Sequence, residues 1–460
     1  MMRLHWARQL GIMSLCILGL LGMTGCQYTA TPADLLLNPQ STPENAVLAS
    51  AVRDALPSRA KLSLPVQEKS NSAVMKADIN GDGELEALVT FINNNSAQQV
   101  MVLQSNKKGG WKYWFTFEES SNYGIDVLRI ADLDHDGKPE VLIGWNQYGE
   151  PEHLLNIYHV PPAYKGDVPL KPLKELSYDT MSQGDVDGDG KSELVLIRLN
   201  SEKMTASIHV FRFLGGAVLA AASTSMDGSV NGYYNISIGK IAPKRFGIIT
   251  DAIVGAHSSN TTMLLWDKGK LLKIYPSSQR GAQDEDSTMD ALIAGDGNGD
   301  GILDIHVLRE APGQDEGVPY SDLVWIEQYK QWDGAGRFDV VGERYADYEQ
   351  NFALRIPAGW QDYTVRHPKE GSKSDIAVDY YDSKSGKRIE VMVIRIVPLN
   401  DWDAIEHQLQ ENASEFMLLE RAAGMVYYAV WDKLDDTQQV NPLPPSETTL
   451  KNMFMLLPEQ

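Results

Sequence analysis

Along residues 72–345 short apolar runs alternate with polar turns. The runs Ala87-Leu88-Val89-Thr90-Phe91-Ile92, Val141-Leu142-Ile143, Leu194-Val195-Leu196-Ile197 and Ile305-His306-Val307-Leu308 are brief and rich in β-branched residues. That pattern predicts strands rather than helices. An apolar segment also precedes each turn, as in Val127-Leu128-Arg129-Ile130, so the turns join strand to strand. The first unit reads as four strands, at 74–77, 85–92, 99–103 and 111–117. Units of this kind repeat about every fifty residues, the period of a four-stranded propeller blade. Five of them fill residues 72–345, the last ending near 337–341, so the predicted fold is mainly β: a five-bladed β-propeller followed by a small α+β domain.

The turns themselves carry the chemistry. Asp78-Ile79-Asn80-Gly81-Asp82-Gly83-Glu84-Leu85-Glu86 returns as Asp132-Leu133-Asp134-His135-Asp136-Gly137-Lys138-Pro139-Glu140, as Asp185-Val186-Asp187-Gly188-Asp189-Gly190-Lys191-Ser192-Glu193 and as Asp296-Gly297-Asn298-Gly299-Asp300-Gly301-Ile302-Leu303-Asp304. Oxygen-bearing side chains fall at positions 1, 3, 5 and 9, with glycine at position 6. Calcium takes roughly six to eight oxygens, and a tight loop with glycine at its sharpest bend can gather them from few residues. The expected ligands are therefore Asp78, Asn80, Asp82 and Glu86; Asp132, Asp134, Asp136 and Glu140; Asp185, Asp187, Asp189 and Glu193; Asp296, Asn298, Asp300 and Asp304. Position 7 varies freely, as it would if only its carbonyl were a ligand. An EF-hand needs an acid at position 12, where this chain has Val89, Ile143, Leu196 and Val307. An acidic turn without metal explains one copy, but turns alone do not demand acids at four matched positions.

Successive loops begin at 78, 132, 185 and 296, so the last step is twice the others and should hide a degenerate copy. It falls at Asn235-Ile236-Ser237-Ile238-Gly239-Lys240-Ile241, with Lys240, Ala242, Lys244 and Ile248 at the ligand positions and no capacity for calcium. Either a lysine ammonium replaces the cation there or the loop is simply a solvated basic turn.

The D-x-[DN]-x-D-G-x-x-[DE] loops resemble those of FG-GAP/VCBS repeats, as in the integrin alpha-subunit propeller and many bacterial surface proteins. The resemblance implies a β-propeller with up to four structural Ca2+ ions in the hairpins between the first and second strands of its blades. The family is functionally broad, so architecture transfers further than activity.

Upstream, Arg3 and Arg8 precede an apolar stretch over 10–21, too short to span a bilayer comfortably. Met23-Thr24-Gly25-Cys26 then resembles a bacterial lipobox, which implies removal of residues 1–25 and lipid attachment at Cys26; an ordinary secretory signal or an uncleaved anchor is the alternative. Cys16 would leave with the signal, so no disulfide is expected. Residues 26–71 read as a polar tether and a short helix from 43 to 56, with Thr42 as its N-cap.

Charge changes the picture in one respect. The chain carries a net −21, which argues against a nucleic-acid partner, and none is expected. Clustered carboxylates also repel one another when no cation is present.

From about 350 the period stops. Residues 349–460 read as a separate α+β domain, with strands at 376–381, 388–397, 416–419 and 426–431 and helices at 401–412 and 448–457. Its Leu354-Arg355-Ile356-Pro357-Ala358-Gly359-Trp360 opening is faintly similar to the PsbP/Mog1-type fold, whose members are mostly binding or assembly modules. No G-x-S-x-G elbow, H-E-x-x-H helix or Walker loop is present, and the histidines are scattered. Among aromatics, Trp111 and Trp114 are expected in the core, and Trp145, Tyr148, Tyr233 and Tyr234 nearer the surface. The expectation is a monomeric, lipid-anchored envelope protein, held to the membrane through its lipidated cysteine, whose propeller (72–348) binds a protein or glycan. A surface hydrolase or lyase acting on polysaccharide or phosphoester, and a structural spacer, are the alternatives.

Overall fold

The computed structural model describes residues 43–66, 72–106, 109–119, 122–148, 153–255, 258–276, 292–314, 317, 319, 322–360, 362–368, 372, 374–431 and 445–457. The signal segment, Cys26, Thr42 and the tether before residue 43 lie outside them. Among the described residues no helix is long and apolar enough to cross a membrane.

Helix α1 (Pro43–Ala55) precedes a succession of antiparallel sheets. Sheet 1 contains β1 (Lys61–Leu62), β2 (Val74–Ala77), β3 (Glu86–Ile92), β4 (Gln98–Ser105) and β5 (Trp111–Phe117). Its first position is shared: β2 pairs the start of β3 and β1 pairs its end. Sheets 2, 3 and 4 are four-stranded meanders. They are β6 (Asn122–Ala131) to β9 (Lys174–Tyr178), β10 (Thr180–Gly184) to β13 (Ala217–Asp227), and β14 (Gly232–Ala242) to β17 (Lys270–Tyr275). In sheet 4 the expected degenerate loop is a tight turn, Ala242 pairing with Arg245.

These sheets stack face to face because their strands are apolar on both sides. In β11 (Glu193–Asn200), Leu194 and Leu196 pack toward sheet 2 while Val195 and Ile197 pack toward sheet 4. An unbroken apolar run is what a strand buried on both faces requires. Further apolar clusters join sheets 1 and 2 and sheets 4 and 5. The outer face of sheet 1, with Val89, Phe91 and Met101, is covered by Leu48 and Val52 of α1. Among the described residues no apolar cluster joins sheet 5 to sheet 1.

Sheet 5 departs from the repeat. Its order is β18 (Ile305–Glu310), β19 (Trp325–Trp332), β20 (Phe338–Asp347), β21 (Phe352–Ile356) and β27 (Phe454–Leu456). The strand that should open it is reduced to one bridge, Gly295 to Asp304. Strand β21, expected to open a separate domain, instead extends this sheet, because Leu354 and Phe352 bury their side chains beside Tyr345. The expected last helix is shorter, α3 (Glu447–Met453), and its second half is β27.

The remaining C-terminal residues form sheet 6, ordered β22 (Tyr363–Arg366), β23 (Ile376–Asp382), β24 (Lys387–Pro398), β26 (Met425–Trp431), β25 (Glu415–Ala422). One face of it packs on sheet 5 through Val378, Ile394 and Phe352. Helix α2 (Trp402–Glu411) lays Trp402, Ile405 and Leu409 on Val426 and Tyr428. Each is the face expected from helical spacing. The protein is thus mainly β, built of successive antiparallel sheets with propeller-like packing.

Candidate metal loops and a polar cleft

The four loops share one frame. Each is closed by the same pairing, Ala77–Glu86, Ala131–Glu140, Gly184–Glu193 and Gly295–Asp304. Position 6 has a positive φ in every copy (Gly83, Gly137, Gly190, Gly301), which only glycine adopts without cost. Position 4 is left-handed too, and His135 is held there at φ 58° where the other copies have glycine; its ring is exposed.

Hydrogen bonds repeat with the backbone. The position 1 carboxylate accepts the position 6 N–H: Asp78 from Gly83 at 2.8 Å, Asp132 from Gly137 at 3.0 Å, Asp185 from Gly190 at 3.0 Å, Asp296 from Gly301 at 2.8 Å. Asp82, Asp136, Asp189 and Asp300 each accept the position 7 N–H at 2.8 Å. Glu86, Glu140, Glu193 and Asp304 accept from the position 2 N–H of Ile79, Leu133, Val186 and Gly297 at 2.9–3.1 Å. The second oxygen of each position 1 aspartate accepts as well, from the N–H of position 4, position 5 or both. In the second copy Asp132, Asp134 and Asp136 bring ligand oxygens within 4.8 Å of one another, and in the third Asp185, Asp187 and Glu193 do so. In the first and fourth, Asn80 and Asn298 stand at position 3, and their amides donate to Asp82 and Asp300 at 3.1 Å.

Position 9 is the buried acid of each loop. Burial, reinforced by the neighbouring aspartates and only partly offset by the hydrogen bonds these acids accept, pushes Glu86 and Glu140 up to about 7 and Asp304 to about 6. Glu193 is raised for the same reasons. An all-oxygen donor set under mutual repulsion is the chemistry a hard dication relieves. The residues present therefore fit calcium.

Two features of the loops are invisible in their spacing. First, the position 2 side chains Ile79, Leu133 and Val186 are plugged into the cores between sheets. Fully burying such a side chain is worth about 1.5–3 kcal/mol, so loop geometry and sheet packing are coupled. Gly297 has no side chain to contribute, and the Tyr329 ring lies directly on it. Second, the third strand of the sheet aims a donor at the loop. Gln331 Nε2 donates to Asp300 at 2.9 Å and to Asp304 at 3.1 Å. Gln104 stands opposite Glu86 in the ladder and hydrogen-bonds to it. Arg212 pairs with Asp187 and Glu193, its guanidinium 5.2 Å from the Trp266 ring centroid in sheet 4.

Consecutive loops also meet. Lys138 of the second abuts Gly81 of the first, Phe246 of sheet 4 abuts Gly188, and the Leu303 N–H donates to the Lys240 carbonyl at 2.7 Å. Asp78, Asp132, Asp185 and Asp296 thus belong to like hairpins on one side of the stack.

A second constellation was not expected from the sequence. Glu327, buried in β19, accepts from His306 at 3.0 Å, Arg344 at 2.6 Å and Tyr348 at 2.6 Å. Burial alone would raise its pKa, but the His306 and Arg344 charges and these bonds outweigh it and hold Glu327 down at about 2. The group lies on a cleft of about 1200 Å³. Among the aromatics, Trp114 is buried as expected and Tyr148 is 81% exposed, whereas Trp145 and Tyr233, expected nearer the surface, are buried because they sit on strands beside the turns.

Compared with solved structures, the chain is similar to an exotype rhamnogalacturonan lyase at 12% identity, covering 72% of this chain and 65% of that one, with a TM-score of 0.26. A rhamnogalacturonan lyase from Bacillus licheniformis gives 11%, 72%, 71% and 0.25. An exo-beta-1,3-galactanase from Phanerochaete chrysosporium gives 10%, 74%, 81% and 0.25. The chain spans just under two thirds of the first of these. Compared by sequence with curated proteins, it matches none. The family model described as an FG-GAP-like repeat matches residues 78–143, the first loop through the strand after the second. That segment, with its two acidic loops and the sheet between them, is an FG-GAP-like repeat.

Proposed function

We propose that this protein is a lipid-anchored cell-envelope binding module. Its five repeats form a β-propeller that calcium stabilises, and its partner is an extracytoplasmic protein or glycan. The observation that supports this best is the shared hydrogen-bond frame of the four loops, each closed by a buried position 9 carboxylate, with acid oxygens gathered in the second and third. The role of the ions is structural: the loops lie beside the inter-sheet cores, and in the first three the position 2 side chains Ile79, Leu133 and Val186 tie one to the other. Helix α1 covers the outer face of sheet 1, and the C-terminal sheet packs beside sheet 4 on the apolar face of sheet 5. Lipid attachment at Cys26 supplies the membrane contact.

Calorimetry with chelator and with added calcium tests this. Ion binding to the folded state alone stabilises by about 2.7 kcal/mol per site at a hundredfold excess over Kd, so melting should rise by several degrees. An unchanged melting temperature overturns the reading. Incorporation of labelled palmitate that is lost in Cys26→Ser tests the anchor.

A further inference from the structure

We propose that the polar face of sheet 5 is a binding site for a neutral oligosaccharide. The proposal rests on the binding-module reading and gives it a location and a ligand class.

Strand register divides sheet 5 into two unlike faces. Leu308 pairs with Glu327, His306 with Tyr329, and Glu327 with Arg344, so these residues share one face. Ile305, Val307 and Trp332 share the other and are buried against sheet 4. In sheets 2, 3 and 4 both faces are covered by apolar neighbours. Here one face opens instead on the cleft of about 1200 Å³. That exceeds the roughly 300–1,000 Å³ of small-molecule pockets, so it suits a short oligomer better than a single sugar.

The floor of the cleft is pre-organised. Glu327 is fixed by His306, Arg344 and Tyr348, and the His306 ring stacks on Tyr329 at 4.5 Å. Side chains locked in this way lose little freedom when a ligand docks. Above the floor, Tyr348 is 44% exposed and Trp325 half-buried, giving two aromatic surfaces for the C–H face of a sugar ring. The C-terminal domain adds Ser372 and Ser374, whose hydroxyls both donate and accept. Charge then narrows the ligand. Asp347 and Glu349 line the cleft, and its arginine is already engaged by Glu327. An anionic chain would meet repulsion there, whereas neutral hydroxyls can donate to these carboxylates.

The test titrates the calcium-loaded full chain, by calorimetry, with neutral tetra- to hexasaccharides of glucose, mannose and galactose, and with tetragalacturonate as the anionic control. At least one neutral oligosaccharide should bind, and tetragalacturonate should bind at least about tenfold more weakly. Tyr348→Ala and Trp325→Ala should each weaken binding by about tenfold, and Ser372→Arg, which fills the wall from an exposed position, should do the same. Tyr148→Ala, on the exposed tyrosine of sheet 2, should leave it unchanged. Lack of any neutral-glycan binding, a preference for tetragalacturonate, or binding that survives both Tyr348→Ala and Ser372→Arg overturns the proposal. Should calcium still raise the melting temperature in such a case, the cleft falls and the propeller reading stands; should calcium do nothing, both fall.

Discussion

Sheet 3 and sheet 5 are built from the same repeat and have different surroundings. Strand β11 of sheet 3 is apolar on both faces because sheets lie on both sides of it. Strand β19 of sheet 5 reads Trp325-Ile326-Glu327-Gln328-Tyr329-Lys330-Gln331-Trp332, with a charged group at its centre. Among the described residues no apolar sheet lies against its polar face, and Glu327 is retained there with His306, Arg344 and Tyr348 as partners. The contrast teaches that the repeat sets strand number and loop chemistry, while the neighbour on each face sets what a strand can carry. The loops follow the same division. Those of sheets 1 to 3 anchor themselves with Ile79, Leu133 and Val186, and that of sheet 5 has Gly297 in their place.

The largest effect that would break this comparison is expected at the buried charge. Arg344→Met leaves the Glu327 carboxylate short of its cationic partner and should cost about 3–5 kcal/mol in urea unfolding. The double variant Glu327→Leu, Arg344→Met should recover a large part of that loss, because no charge is then stranded. If the double is as unstable as the single, the cluster is not an ion-pair network.

Next comes Ile79→Ala, which should cost about 3 kcal/mol through the cavity it opens between sheets 1 and 2. It should also weaken calcium binding at the first loop, measured by titration, since the same residue holds Glu86 through its N–H. Normal calcium affinity in this variant would uncouple the loops from the core.

A smaller, graded effect is expected with pH. Without ions, Glu86 and Glu140 lie near 7, against 4.5 for a free glutamate. The folded chain therefore holds protons that the unfolded chain releases. This contribution is fully present below about 4.5 and is lost as pH climbs through about 7. In chelator, the urea midpoint should fall between pH 5 and pH 8. Saturating calcium should flatten or reverse the fall, because the cation binds the ionised acids. Least affected should be Lys191→Ala at an exposed position 7, with a change within about 0.5 kcal/mol and unaltered calcium response.

The loops were legible because their information is local: nine residues, one glycine bend and four oxygens. The donors Gln104, Arg212 and Gln331 were not, since the length of the intervening hairpin differs from sheet to sheet and erases any fixed offset. His306, Glu327 and Arg344 stand on three strands, and only register brings them together. Strand β21 was read as the start of another domain because an apolar run looks the same whichever sheet it joins. Helix α2 was read correctly, because its apolar spacing identifies one face without reference to any partner.

Strand β27 has a consequence for the order of assembly. Leu354 pairs with Phe454, and Met455 contributes to the cleft wall. A ribosome must therefore deliver all of sheet 6 and helix α2 before sheet 5 gains its edge, whereas each meander of sheets 2 to 4 is complete as soon as its own fourth strand emerges. A nascent chain can shelter most of its oily surfaces early, yet the cleft gains its last wall only near the finish, so a product interrupted upstream of residue 454 would be compact and lack that wall.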